Sequence, residues 1–127
     1  MMTIGGLAAA GGVGVETIRY YQRRDLMKTP PRDGGARRYG AEDLRRLLFI
    51  RHAQAVGFSL DEISELIALD ASRDRSRARD LARARIAVFD AKIADLMAAR
   101  SALQRLADDC ALSDKGPCPI IAAFEAA

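Results

Sequence analysis

The chain has 127 residues, half of them apolar and few aromatic, with no Trp, 20 basic and 17 acidic side chains and a net charge of +3. That length suits one domain, or one compact domain plus a long accessory helix, and no stretch is apolar for long enough to cross a bilayer. The charge is uneven: Val15 to Arg51 carries ten basic and five acidic side chains, while Gly57 to Asp70 carries acids only, so the N-terminal third points to a polyanionic partner.

The opening MMTIGGLAAAGGVGVETIRYY has no basic leader and meets Glu16 and Arg19 at once. It reads as the start of a folded domain rather than a signal peptide. A cytoplasmic location is therefore expected, where thiols stay reduced. Thr3 is placed to cap a short helix through Ala10, with Ile4 and Leu7 on one face. Gly11, Gly12 and Gly14 break it. Val15 to Arg24 is predicted as a second helix burying Val15 and Ile18, with Tyr21 a further candidate for that face. Two short helices around a Gly-rich turn make a helix-turn-helix pattern. The open side of the second helix carries Glu16, Thr17, Arg19, Tyr20 and Arg23, whose donors suit phosphates and base edges.

In TPPRDGGARRYG, Pro30 and Pro31 stop the helix, and Asp33-Gly34-Gly35 offers the positive φ values of a tight hairpin. Arg32, Arg37, Arg38 and Tyr39 cluster around it. Taken alone these residues are equally a solvated loop; directly after a helix-turn-helix they read as a wing that touches the sugar-phosphate backbone.

Ala41 to Ala55 is predicted as a third helix with Leu44, Leu47, Leu48 and Phe49 inward. Ser59-Leu-Asp-Glu62 is a capping box for a fourth, running to about Leu69. Asp70 to Asp74 is a polar connection. From Arg75 to Asp109 a long helical pattern runs without Gly or Pro. Its apolar positions, Ala82, Ile86, Phe89, Ile93, Leu96, Leu103 and Ala107, alternate three and four apart, with Arg100 interrupting. That is a coiled-coil stripe. It implies a homodimer, parallel or antiparallel, through Ile86, Phe89, Ile93, Leu96 and Leu103.

Cys110 continues the stripe. The only other cysteine, Cys118, precedes Pro119 and so looks like the N-cap of a closing helix, Pro119 to Ala126. Amides at such a terminus favour a thiolate; Cys110, at a helix C-terminus, has the opposite field. The expected architecture is mainly α: a winged helix-turn-helix head over 1–70, a dimerisation helix over 75–109, and a two-cysteine loop with a short helix over 110–127.

Three stretches, VETIRYYQRRDL at 15–26, ARRYGAEDLRRLLFIRHAQAVGFSLDEISELIAL at 36–69 and CALSDKGPCPII at 110–121, resemble the MerR family of bacterial transcription activators. The last is similar to the metal-sensing subset. The resemblance implies a homodimer on a palindromic promoter with an overlong spacer and antiparallel dimer helices. It also implies a metal-driven shift of the heads that distorts the DNA so that RNA polymerase engages both promoter elements. It places Arg19 and Tyr21 of the second helix and Arg38 and Tyr39 of the wing on double-stranded DNA, with Arg51 and His52 in a further contact region. His52 is the only histidine and lies in the head, so it is not read as a metal ligand.

Two thiolates suit a two-coordinate soft ion: Cu(I), Ag(I), Au(I) or Hg(II). Zinc normally takes four ligands, for which Asp109 or Asp114 would have to serve. The head resembles mercury-responsive members, which carry a third cysteine where Arg75 stands here. The loop resembles copper-, silver- and gold-responsive members, which carry a serine there. A bis-thiolate centre on a monovalent ion is anionic and needs a nearby cation. Arg75 of the second copy could supply it, which favours Cu(I), Ag(I) or Au(I) over Hg(II). The plainer reading leaves Arg75 in solvent among Arg73, Arg77 and Arg79. A thiol redox sensor using the same cysteines, and an effector-independent DNA-binding protein, are the other functional classes. An enzyme is not expected, because no nucleophile–base pairing or phosphate loop is present.

Overall fold

The computed structural model describes residues 1–72 and 74–126, the side chain of Asp33 excepted. Its elements in order are α1 (Ile4–Gly11), α2 (Val15–Arg23), β1 (Arg32–Asp33), β2 (Ala36–Arg37), α3 (Ala41–Ala55), α4 (Leu60–Ser72), α5 (Arg75–Ala111) and α6 (Pro119–Glu125). The chain folds as two units, Met1–Leu81 and a second from Ala82 onward.

The first unit begins as its capping residues dictate. Thr3 Oγ1 accepts the Gly6 amide at 3.1 Å, satisfying one of the donors a helix start leaves open. Gly12 ends α1 in the left-handed region at φ 68°. A Cβ on neighbouring Gly11 would lie 2.3 Å from Leu47 Cδ2, so α1 and α3 cross with the glycine as the point of closest approach. That crossing turns Leu47, Ile50 and Ala53 of α3 inward.

Phe49 was expected on the inward face; it is 42% exposed instead, and Ile50 takes its place fully buried. The apolar run LLFI satisfies more than one helical face, and only contact with α1 fixes the rotation. Around Leu47 the core gathers Leu7, Ile18, Tyr21, Leu26, Tyr39, Ile50 and Ile63. Each full burial of a Leu or Ile contributes roughly 1.5–3 kcal/mol before the ordering entropy is set against it.

The wing is a two-stranded antiparallel ribbon pairing Arg32 with Arg37 and Asp33 with Ala36. Gly34 and Gly35 have φ of 62° and 94°, the left-handed turn expected of that dipeptide. Behind it, Met2 and Tyr39 form a β-bridge, each amide donating to the other's carbonyl at 2.8 Å.

The capping box at α4 is present in both directions: Ser59 Oγ accepts the Glu62 amide at 3.1 Å, and Glu62 Oε1 accepts the Ser59 amide at 2.9 Å. α4 continues to Ser72, three residues past the expected end at Leu69. Asp74 then opens α5, its Oδ1 accepting the Ser76 amide at 3.1 Å. Glu65 and Arg77 tie α4 to the first turn of α5 through paired hydrogen bonds. The connection predicted over 70–74 is thus shorter than the sequence suggested; Arg73 lies outside the described residues.

The second unit is helical and has no interior of its own. None of its described residues is buried, and the stripe stands in solvent: Ile86 is 55%, Ile93 53% and Leu96 70% exposed. No described helix is long and apolar enough to cross a membrane.

Candidate nucleic-acid surface and dithiol site

α2 reaches the surface as an amphipathic helix. Ile18 and Tyr21 are buried beneath it, so Glu16, Arg19, Tyr20 and Arg23 are left outward, with Thr17 half-buried. Arg19 pairs with Glu16 at 2.8 Å, both side chains more than half exposed, an arrangement that holds the guanidinium over the helix surface at little energetic cost. Tyr20 is flanked by two arginines, with Arg23 Cζ 5.7 Å and Arg24 Cζ 5.9 Å from its ring centroid. Arg24 also donates to the Tyr20 hydroxyl and to Asp61 at the start of α4. Arg24 was not singled out from the sequence, although its four-residue spacing from Tyr20 is a readable signal.

In the wing, Arg38 is exposed and Arg37 half-buried. Arg37 Nε donates to the Pro30 carbonyl at 3.0 Å and Arg32 Nη1 to the Gly35 carbonyl at 2.9 Å. These two arginines stiffen the ribbon, and Arg38 is left outward. His52 is exposed on α3. Arg51 is exposed too, and its Nη1 donates to the Gly11 carbonyl at 2.8 Å, capping the C-terminus of α1 as a cation should.

Two of the residues expected on DNA are placed otherwise. Tyr21 is 4% and Tyr39 1% exposed. The Tyr21 hydroxyl donates to Gln54 Oε1, while the Tyr39 hydroxyl accepts from Gln22 Nε2 at 3.0 Å. Burial pushes the Tyr21 phenol up from its ordinary value, with the Arg51 charge opposing. Both rings are core, so they are withdrawn from the contact set. The cause is non-local: the Met2–Tyr39 bridge seals one ring and Gln54 receives the other.

In the second unit Cys110 lies in the last turn of α5 and Cys118 is the N-cap of α6, with Pro119 at its first position. Their sulfurs are 4.0 Å apart and both residues are half-buried free thiols. The main-chain amides of Ile121 and then Ile120 hold the Cys118 thiol below the ordinary range, against a smaller effect of burial. Cys110 is pushed up, first by its hydrogen bond to Cys118, then by that sulfur's charge and by burial. The pair thus carries one sulfur disposed to ionise and one disposed to keep its proton. Two metal–thiolate bonds of about 2.3 Å, the zinc length, would bridge such a gap in a bent arrangement. Among the described residues no group of three or more His, Cys, Asp or Glu side chains could hold a metal.

Arg75 belongs to the first unit. It is exposed and lines a hollow of about 610 Å³ with Arg46, Phe49, Leu66, Ile67, Leu69, Asp70, Asp74 and Ala78. Two carboxylates therefore share its surroundings.

A basic head of two crossed helices and a ribbon, followed by a long helix and a pair of thiols, defines a winged helix-turn-helix regulator of transcription. Comparison with known proteins agrees. Residues 2–70 match the MerR HTH family regulatory protein description, and residues 44–106 match MerR, DNA binding. The mercuric resistance operon regulatory protein of Shigella flexneri is 42% identical over 98% of this chain and 88% of its own length. The HTH-type transcriptional regulator ZntR of Escherichia coli K12 is 39% identical, over 87% of this chain and 81% of its own. Among solved structures, the transcription regulator PbrR691 from Ralstonia metallidurans CH34, in complex with lead(II), is similar with a TM-score of 0.74 and 32% identity, over 98% of this chain and 99% of that one. The chain belongs to the MerR family of DNA-binding transcription regulators.

Proposed function

We propose that the chain acts as a homodimer that grips a palindromic promoter with its two winged heads. It activates transcription by distorting the DNA when Cys110 and Cys118 bind Cu(I), Ag(I) or Au(I). The observation that carries this reading is the thiol pair, 4.0 Å apart, with Cys118 favoured as thiolate by the amides of α6. Two soft donors suit a two-coordinate, thiophilic ion. When bound, such an ion replaces the thiol protons and ties the end of α5 to the start of α6.

The chain's own residues do the rest. Thr17, Arg19, Tyr20 and Arg23 present donors from α2, and Arg37 and Arg38 from the wing, with Arg51 and His52 beside them. Phosphate contacts of this kind set register and affinity, while base-edge contacts set specificity. The stripe of Ile86, Phe89, Ile93, Leu96 and Leu103, exposed in one chain, is buried by a second copy, and α5 then fixes the spacing of the heads. Arg75 of the second copy balances the negative charge of a monovalent bis-thiolate centre. RNA polymerase reads the distorted promoter, and the protein works in the cytoplasm, where its thiols stay reduced.

A second reading is Hg(II) as inducer, favoured by the 42% identity to a mercuric resistance regulator. The test is transcription in vitro from the cognate promoter, under reducing conditions, with Cu(I), Ag(I), Au(I), Hg(II) and Zn(II) in turn. Output raised by the monovalent ions supports the first reading, and by Hg(II) alone the second. Output that follows oxidant and ignores every metal replaces both with a thiol redox sensor.

A further inference from the structure

The stripe on α5 has one discontinuity, Arg100, at a position whose spacing asks for an apolar side chain. Around it lies a shallow hollow of about 440 Å³, lined by Leu96, Ala99, Arg100, Leu103, Gln104 and Ala107. Leu96, Ala99, Arg100 and Leu103 follow the i, i+3, i+4, i+7 spacing of the four-residue hole that receives a knob in helix pairing. Ala99 gives the hole a low floor and Arg100 gives it a cationic wall. A hole of that make-up selects an aromatic knob, because a guanidinium is drawn to the face of a ring.

The stripe carries one aromatic. Phe89 is 37% exposed, and its ring already has Arg85 Cζ 5.3 Å from its centroid. Phe89 and Arg100 are eleven residues apart on one helix, a separation of about 16 Å. They cannot meet within one chain; a second copy can bring them together.

We propose that Phe89 of a second copy seats in the hollow beside Arg100, and that this pair sets the antiparallel sense and the register of the dimer. The inference rests on the homodimeric reading above. In the register it defines, Ile93 faces Leu96, Ile86 faces Leu103 and Ala82 faces Ala107, each layer occurring twice by two-fold symmetry. Every apolar side chain of the stripe but Phe89 then meets an apolar partner, and Phe89 meets the guanidinium of Arg100. A parallel pair would set Arg100 against Arg100, two like charges in a desolvated seam with no counter-charge. Sliding the antiparallel pair by one heptad puts Arg100 over Ala82 in one direction and over Leu96 in the other, and in neither does the cation meet a ring. A single polar residue in an apolar seam is a known means of specifying register; here Arg100 excludes the alternatives.

A double-mutant cycle on the full-length reduced protein, without DNA or metal, tests this. Dimer dissociation constants are measured by sedimentation equilibrium for the wild type, Phe89→Leu, Arg100→Met and the double variant. The cycle reads the coupling alone, whatever each single change does. With two contacts per dimer the coupling is expected at about five- to thirty-fold in the dissociation constant. Additive effects in a chain that remains dimeric overturn the proposal. A cross-linking arm checks orientation in a background of Cys110→Ser and Cys118→Ser. Ile86→Cys with Leu103→Cys is expected to cross-link between copies, whereas Leu103→Cys linking to itself overturns the antiparallel sense. Since neither arm uses metal, coupling in a protein that ignores metal would sink the sensing mechanism and leave this inference standing.

Discussion

The head and the arm of this chain solve the burial problem in different ways. Residues up to Leu81 enclose Leu7, Ile18, Leu47, Ile50 and Ile63 completely. From Ala82 onward nothing described is buried, although Ile86, Phe89, Ile93, Leu96 and Leu103 are as apolar as anything in the head. A core can close when elements cross, as α1 and α3 do at Gly11. The helix of 37 residues leaves its stripe in solvent, and in the proposed homodimer a second copy covers it. The head thus has a core of its own, whereas the arm has none among its described residues.

The strongest way to break that contrast is Leu47→Ala. It should destabilise the head by about 2–5 kcal/mol, read as a lower midpoint in urea. Leu96→Ala, equally apolar but 70% exposed, should leave that midpoint unchanged and raise the dimer dissociation constant instead. Equal shifts from both would erase the distinction.

Next in size is the dithiol. Cys110→Ser or Cys118→Ser should lower affinity for a soft ion by more than about 100-fold, since even the partners of metal ligands are worth 10–100-fold. Competition with a chelator of known affinity measures it, and head stability should not move. Ser59→Ala removes one side of the box that starts α4 and should cost about 1 kcal/mol in the head; a full-length melt with no change would show that cap to be redundant.

The smallest effect sharpens the site itself. With the Cys118 thiol held down and the Cys110 thiol pushed up, Cys118 carries more thiolate near neutrality. Iodoacetamide should therefore modify Cys118 several-fold faster. As pH rises through the Cys110 range the two rates should converge, and mass spectrometry of timed samples follows both. Faster reaction at Cys110 would reverse the assignment.

Much of this was legible before any coordinates, because it depends on neighbours in sequence. Thr3, Ser59 with Glu62, Gly34-Gly35 and Cys118-Pro119 each specify a local backbone conformation, and each is found as expected. The alternating spacing on α5 is local as well, and the helix it predicted is found from Arg75 to Ala111. The roles of Tyr21 and Tyr39 were not legible. Both sit beside arginines in a basic stretch, which is what a DNA-facing tyrosine looks like in sequence. Phe49 failed for a similar reason, since an apolar run does not say which of its faces will meet another helix.

The sequence by itself determined the caps, the turns, the helical periods and the placing of one soft donor at a helix end and another at a helix start, since each depends on a few adjacent residues. Tertiary structure alone decided the rotation of α3, through the contact of Gly11 with Leu47. It also decided the burial of Tyr39, through a bridge to Met2, and the 4.0 Å approach of the sulfurs. The first two depend on segments that meet only when the chain has folded, and the third on how the eight-residue step from Cys110 to Cys118 closes, which residue types alone do not set.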